Sequence, residues 1–105
     1  MKKFFAALTT LIACALPALA APTTLTGTVT DDMCGAHHMM ANATPAQCTR
    51  VCVKRGAHYA LAVGDKVYIL SGKEADFDKL AGAKATVTGE LNGSTLTVQS
   101  IAEAK

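Results

Sequence analysis

The chain has 105 residues, with ten Lys and Arg against eight Asp and Glu, no Trp, and aromatic side chains at 5% of its positions. It contains no basic run and no interleaving of basic with aromatic residues, which argues against nucleic acid and anionic lipid as partners. The length allows one small domain, whose hydrophobic core is near the lower limit of self-sufficiency.

The N-terminal residues have the pattern of an export signal. Lys2 and Lys3 precede an apolar run from Phe4 to Leu16, and Ala18 and Ala20 provide the small residues of a cleavage site. The apolar run has about 13 residues, whereas a helix needs ~20 to span a bilayer. We therefore predict a signal peptide over 1–20, no transmembrane segment, and one domain over 21–105 that is periplasmic or secreted.

A second processing route is open. Leu11-Ile12-Ala13-Cys14 fits the pattern that is cut before a lipid-modified cysteine, which would leave a lipoprotein anchored at Cys14. On either route Lys2 and Lys3 are removed, so the mature domain has eight basic and eight acidic residues and is formally neutral. The positive charge of the full chain therefore belongs to its targeting segment.

The first predicted elements are a strand, a loop and a helix. Residues 24–30 alternate Thr with Leu, Gly and Val, as in a strand with one buried face, and Asp31-Asp32 end it. The next stretch, 33–43, has no strand or helix period and is rich in ligand-type side chains. Thr44 and Gln47 then form a capping box for a helix from Pro45 to about Arg55.

The second half of the sequence predicts four strands and a short helix. Gly64-Asp65 and Asn92-Gly93 are hairpin turns between alternating segments, and a short helix runs from Glu74 to Leu80. Gly89 is expected to bend its strand. The whole order predicts a mainly β fold, a five-stranded OB-like Greek-key barrel with one helix after strand 1 and a short helix between strands 3 and 4. An open α+β sheet with the same elements is the alternative.

The residues with chemical potential are concentrated between Asp31 and Cys52. The spacing C-x2-H-x10-C-x3-C joins Cys34, His37, Cys48 and Cys52, and the last two lie one helical turn apart on one face. A loop folded over that face would create a Cys3His set, which suits zinc. Copper is the other candidate, because thiolates and methionines are soft ligands. His38 and Asp32 are secondary candidate ligands, although paired aspartates at a strand end commonly form turns.

The same cysteines allow other interpretations. In an oxidising compartment Cys34 can form a disulfide with Cys48 or Cys52, giving a stapled interaction domain that binds an envelope protein without any metal. The third interpretation is a redox thiol at Cys34 with His37 nearby. No oxyanion motif or third orienting group accompanies that pair, so we predict a protein that is not an enzyme.

Four segments resemble a family of small exported bacterial proteins classed as a domain of unknown function: GTVTDDMCGAHH, CTRVCVKRGAHYAL, GDKVYIL and ATVTGELNGSTLTVQSI. The resemblance covers residues 25–102 and rests on the D-x-x-C-G and C-x3-C motifs. It implies that Cys34, Cys48 and Cys52 act as one unit, and it implies no activity. The last two strands are also similar to OB-type barrels of the periplasm, some of which bind copper through His and Met on barrel strands, whereas the candidate ligands here lie on a loop and a helix.

Overall fold

The computed structural model describes residues 21–35 and 42–105. This part of the chain is mainly β, with the predicted order of strands and helices. Its seven elements, in chain order, are β1 (Thr23–Asp31), α1 (Pro45–Lys54), β2 (Tyr59–Val63), β3 (Lys66–Ser71), α2 (Glu74–Lys79), β4 (Lys84–Asn92) and β5 (Thr95–Glu103). None of the helices in these ranges is long and apolar enough to cross a bilayer.

The five strands make one sheet that closes on itself. The order around the ring is β1-β2-β3-β5-β4, and β4 pairs with β1 to complete it. All neighbouring strands are antiparallel except β3 and β5, which are parallel. The ring excludes the open sheet that the sequence also allowed, and each strand in it has a neighbouring strand on both sides.

Two strand glycines stand where the backbones of neighbouring strands come very close. A Cβ on Gly27 of β1 would collide with the carbonyl oxygen of Ala62 in β2. A Cβ on Gly89 of β4 would collide with the carbonyl oxygen of Thr97 in β5. The register of the β4–β5 pair shifts between Thr88 and Gly89, which confirms the predicted bend at this glycine.

A compact apolar cluster fills the interior of the ring. Phe77 from α2 is 1% exposed and closes one side of this cluster. Burying a side chain of this size stabilises the fold by about 1.5–3 kcal/mol before cavity effects. The buried members of the cluster, taken from the strands, α2 and the turn after it, are Val29, Tyr59, Leu61, Leu70, Phe77, Ala81, Ala85, Val87 and Leu96.

Helix α1 begins with the predicted capping box. The Gln47 N–H donates to the Thr44 Oγ1 at 3.1 Å, and the Thr44 N–H donates to the Gln47 Oε1 at 3.0 Å. Pro45 occupies the first turn, where its missing N–H costs nothing. Because this N-terminus is fixed, the helix presents Cys48 and Cys52 toward the interior, where both are buried.

Asp78 in α2 ties together three elements of the fold. Its Oδ1 accepts hydrogen bonds from the Tyr59 hydroxyl at 2.8 Å and from the Arg50 Nε at 3.2 Å. The Tyr59 hydrogen bond, opposed by burial and helped by the charge of Arg50, lowers the pKa of Asp78. Burial and the same hydrogen bond raise the pKa of Tyr59 to about 12.

Three predicted boundaries differ from the structure by one residue. The turn between β4 and β5 consists of Gly93 and Ser94, since Asn92 still pairs with Thr95. Both helices end one residue early, at Lys54 and Lys79. Helix ends fray at their last turn, and the difference changes no buried face.

Candidate metal centre

Three cysteine sulfurs meet in a second buried cluster outside the main core. The Cys34 Sγ lies 3.2 Å from the Cys48 Sγ and 3.4 Å from the Cys52 Sγ. All three sulfurs lie within 4.8 Å of one another, and all three residues are buried. The prediction that these cysteines gather at one place is confirmed.

The spacing of the sulfurs discriminates between bonding arrangements. A disulfide requires an S–S distance of about 2.05 Å, and none of the cysteines in the described residues is within that distance of another. Three thiolates on a tetrahedral zinc, with Zn–S bonds of about 2.3 Å, would be about 3.8 Å apart. The two distances from the Cys34 sulfur, 3.2 and 3.4 Å, are somewhat shorter than that value, so small side-chain movements would fit the three sulfurs to a metal ion.

Two of the sulfurs come from one face of α1. Cys48 and Cys52 are separated by one helical turn, so their side chains project in the same direction. The Ala57 N–H donates to the Cys52 carbonyl at 3.0 Å, which ends the helix directly after this pair. Ala57 also packs against the three cysteines and covers part of the cluster.

The third sulfur is positioned by a tight turn that follows β1. The Asp31 Oδ2 accepts hydrogen bonds from the N–H groups of Met33 at 3.0 Å and Cys34 at 2.9 Å. The Gly35 N–H donates to the Asp31 carbonyl at 2.8 Å, and the Thr30 hydroxyl donates to the Gly35 carbonyl at 3.0 Å. These four hydrogen bonds aim Cys34 back toward α1.

Asp31 is itself part of the buried site. It is 0% exposed, and its second oxygen, Oδ1, accepts no N–H or O–H hydrogen bond from the described residues, although the carboxyl group also has a side-chain hydrogen bond with the Cys52 thiol. Among the described residues it also forms no ion pair with Lys, Arg or His. A buried carboxylate normally has a cation or a full set of donors around it, because desolvating its charge is costly. A carboxyl group in this position could help to neutralise a cation bound by the cysteines.

The environment holds Cys52 in its neutral form when no metal is bound. Burial raises its pKa to about 12, and the hydrogen bond with Cys34 and the negative charge of Asp31 act in the same direction. A thiol of this kind is a poor nucleophile at neutral pH. A metal ion would reverse this, because it binds the thiolate and displaces the proton.

Asp32, a secondary candidate ligand, makes contacts outside the cysteine cluster. Its Oδ1 accepts a hydrogen bond from the His58 N–H at 2.8 Å, and its Oδ2 lies 3.1 Å from the His58 Nδ1. Burial opposes these contacts, but together they lower the pKa of Asp32. The His58 side chain is 66% exposed, so this contact lies at the surface.

The sequence named the three cysteines but did not single out Asp31. His37 and His38, the predicted fourth ligand and its substitute, lie outside the described residues. Asp31 was treated with Asp32 as the end of a strand, whereas the structure extends β1 through it. The signal was present, because Leu25, Gly27 and Val29 alternate toward the interior and residue 31 continues that series.

Comparisons with known proteins find no matching family model, no matching curated protein and no matching solved structure. The resemblance to an exported family that the motifs suggest therefore stays a prediction. The structural argument for function rests on the cysteine cluster and its surroundings.

Proposed function

We propose that this chain is an exported, non-enzymatic binding module that binds one zinc or copper ion through Cys34, Cys48 and Cys52. The observation that carries the proposal is the meeting of three buried sulfurs within 4.8 Å of one another. Cysteine thiolates are the preferred protein ligands of both metals. The buried carboxylate of Asp31 beside them supplies further charge that a cation would neutralise.

The architecture that we propose is an OB-like Greek-key barrel. Its support is the ring order β1-β2-β3-β5-β4, the parallel β3–β5 pair, and the short helix α2 between β3 and β4. A rigid ring of this kind fixes the C-terminal end of β1, and the turn after it carries Cys34. The metal would therefore connect the end of a barrel strand to helix α1.

A tetrahedral ion needs a fourth ligand beyond the three sulfurs. The C-x2-H spacing predicts His37 in that position, with His38 as the substitute. An imidazole would complete a closed structural site, with no open position for substrate. This set of ligands agrees with a binding role rather than catalysis.

The experiment is a cobalt and zinc titration of the exported, reduced chain under anaerobic conditions. Tetrahedral cobalt bound to thiolates gives intense visible bands and sulfur-to-metal charge transfer, which zinc then abolishes by competition. We expect one ion per chain. Cys48→Ser, which removes one ligand with little change of shape, is expected to weaken binding by more than about 100-fold.

Lys54→Ala is the matched control, because it lies on the same helix and its side chain is exposed. It is expected to bind cobalt as the unaltered chain does. Absence of thiolate bands in the unaltered chain, or equal binding by Cys48→Ser, would contradict the proposed metal site.

A second candidate function is favoured by the 3.2 Å separation of the Cys34 and Cys48 sulfurs. Oxidation of these two thiols would close a 15-residue loop with little movement of the backbone. In chain-entropy terms such a crosslink stabilises the fold by about 3 kcal/mol. The protein would then be a stapled interaction domain of the cell envelope, and its intact mass would be two hydrogens lower than that of the reduced chain.

A further inference from the structure

Asp31 lies at the start of the turn that carries Cys34, and its two carboxyl oxygens have different surroundings. Asp31 uses Oδ2 to hold the N–H groups of Met33 and Cys34, and its buried Oδ1 accepts no N–H or O–H hydrogen bond from the described residues. The first oxygen fixes the position of the Cys34 thiol. The same carboxyl group also has a side-chain hydrogen bond with the Cys52 thiol.

The same carboxylate lies beside the second thiol of the site. Its negative charge is one of the causes of the high pKa of Cys52. Asp31 therefore contacts Cys34 through the turn and Cys52 through its side chain. None of the described Lys, Arg or His residues forms an ion pair with it. A cation bound by the cysteines would therefore lie close to this carboxyl group.

We propose that the charge of Asp31 makes the cysteine cluster select a divalent ion of the zinc class over copper(I). This inference rests on the proposed metal site. Three thiolates and one carboxylate together place four negative charges around the ion. A doubly charged ion neutralises more of that buried charge than a singly charged one, and an oxygen group suits zinc better than copper(I).

The chemistry of binding balances without any oxidant. Zn²⁺ displaces the protons of the three thiols, which pass to solvent, and three sulfur–zinc bonds form. Asp31 keeps its two N–H hydrogen bonds throughout, so the turn does not need to open. The Oδ1 of Asp31 then faces a positive charge in place of neutral thiols.

The test separates the charge of Asp31 from its role in the turn. Asp31→Asn keeps a carbonyl oxygen that can accept from the N–H groups of Met33 and Cys34, and it removes only the charge. We expect zinc affinity, measured by competition with a chromophoric chelator, to fall about 10–100-fold. Copper(I) affinity, measured with a copper(I) chelator under the same conditions, should change less than about threefold.

Asp32→Asn is the matched control, because this neighbouring carboxylate is bonded to His58 instead of facing the cysteines. Both affinities should stay within about threefold in this variant. Equal weakening of both metals in Asp31→Asn would overturn the inference, since it would show a role in the turn alone. Unchanged zinc affinity would overturn it as well.

Two further readouts keep the test decisive. If Asp31→Asn does not fold, the zinc-minus-apo infrared difference spectrum of Asp32→Asn should still contain a shifted carboxylate stretch, and its absence would overturn the inference. If the unaltered chain binds neither metal with three reduced thiols, the proposed function itself fails. These outcomes are distinct, because the latter needs no substitution.

Discussion

The two buried clusters of this protein differ in the kind of interaction that their side chains can make. The main core, around Phe77 and Leu61, consists of side chains that are satisfied by contact with one another. The cysteine cluster consists of three thiols with the buried carboxyl group of Asp31 beside them, groups that can bind a cation as well as one another. The first cluster explains the stability of the ring. In the proposed function, a metal ion would complete the second.

The largest change in the free energy of unfolding is expected from a substitution in the main core. Phe77→Ala removes a ring that is 1% exposed and in edge contact with Tyr59. We expect the free energy of unfolding to fall by about 3–5 kcal/mol, with or without metal. Urea unfolding measures it, and a loss below about 1 kcal/mol would contradict the assignment of the core.

A somewhat smaller change in the free energy of unfolding is expected when zinc is removed from the cysteine cluster. At a free zinc concentration 100 times the dissociation constant, binding to the folded state alone stabilises it by about 2.7 kcal/mol. Removal of zinc with a chelator should lower the free energy of unfolding by that amount. Cys48→Ser provides the control, because the chelator should leave its stability unchanged. An equal response of both proteins to the chelator would show that the stabilisation does not come from this site.

The smallest effect on stability concerns the contact between strand β2 and helix α2. Tyr59→Phe removes the hydrogen bond to Asp78 and should cost about 0.5–1.5 kcal/mol at neutral pH. Because folding raises the pKa of Tyr59 from about 10 to about 12, its contribution is present below pH ~10 and is lost as the pH rises toward 12.

The unaltered chain and the Tyr59→Phe variant, both free of metal, should therefore converge in their free energies of unfolding across this alkaline range. Cys52 titrates in both proteins, so the difference between them reports on Tyr59. Parallel stability curves up to pH ~12 would contradict the hydrogen-bond account.

Local patterns predicted most of the fold because they are set by neighbouring residues. The Thr44–Gln47 capping box and the Gly64-Asp65 turn depend on a few consecutive positions, and both are present in the structure. Closure of the ring was harder to predict from the sequence. It depends on pairing between β1 and β4, which are about sixty residues apart, and an open sheet would have the same local periodicity.

The meeting of the three cysteines was predictable from the sequence, but the geometry around them was not. The C-x3-C spacing on a helix places Cys48 and Cys52 together, and the structure brings Cys34 to them. Asp31 was missed because the turn preference of aspartate outweighed the alternation that points residue 31 inward. Burial of a charged residue is set by what covers the strand end, and that information is not local in the sequence.

The central claim is that the cysteine cluster holds a metal ion. The most direct test is the intact mass of the exported chain, purified without chelators and measured under native and then denaturing conditions. The account predicts a native mass that includes one zinc or copper ion, and a denatured mass with three reduced cysteines. A metal-free native mass together with a denatured mass two hydrogens lower would contradict it and establish a disulfide in its place.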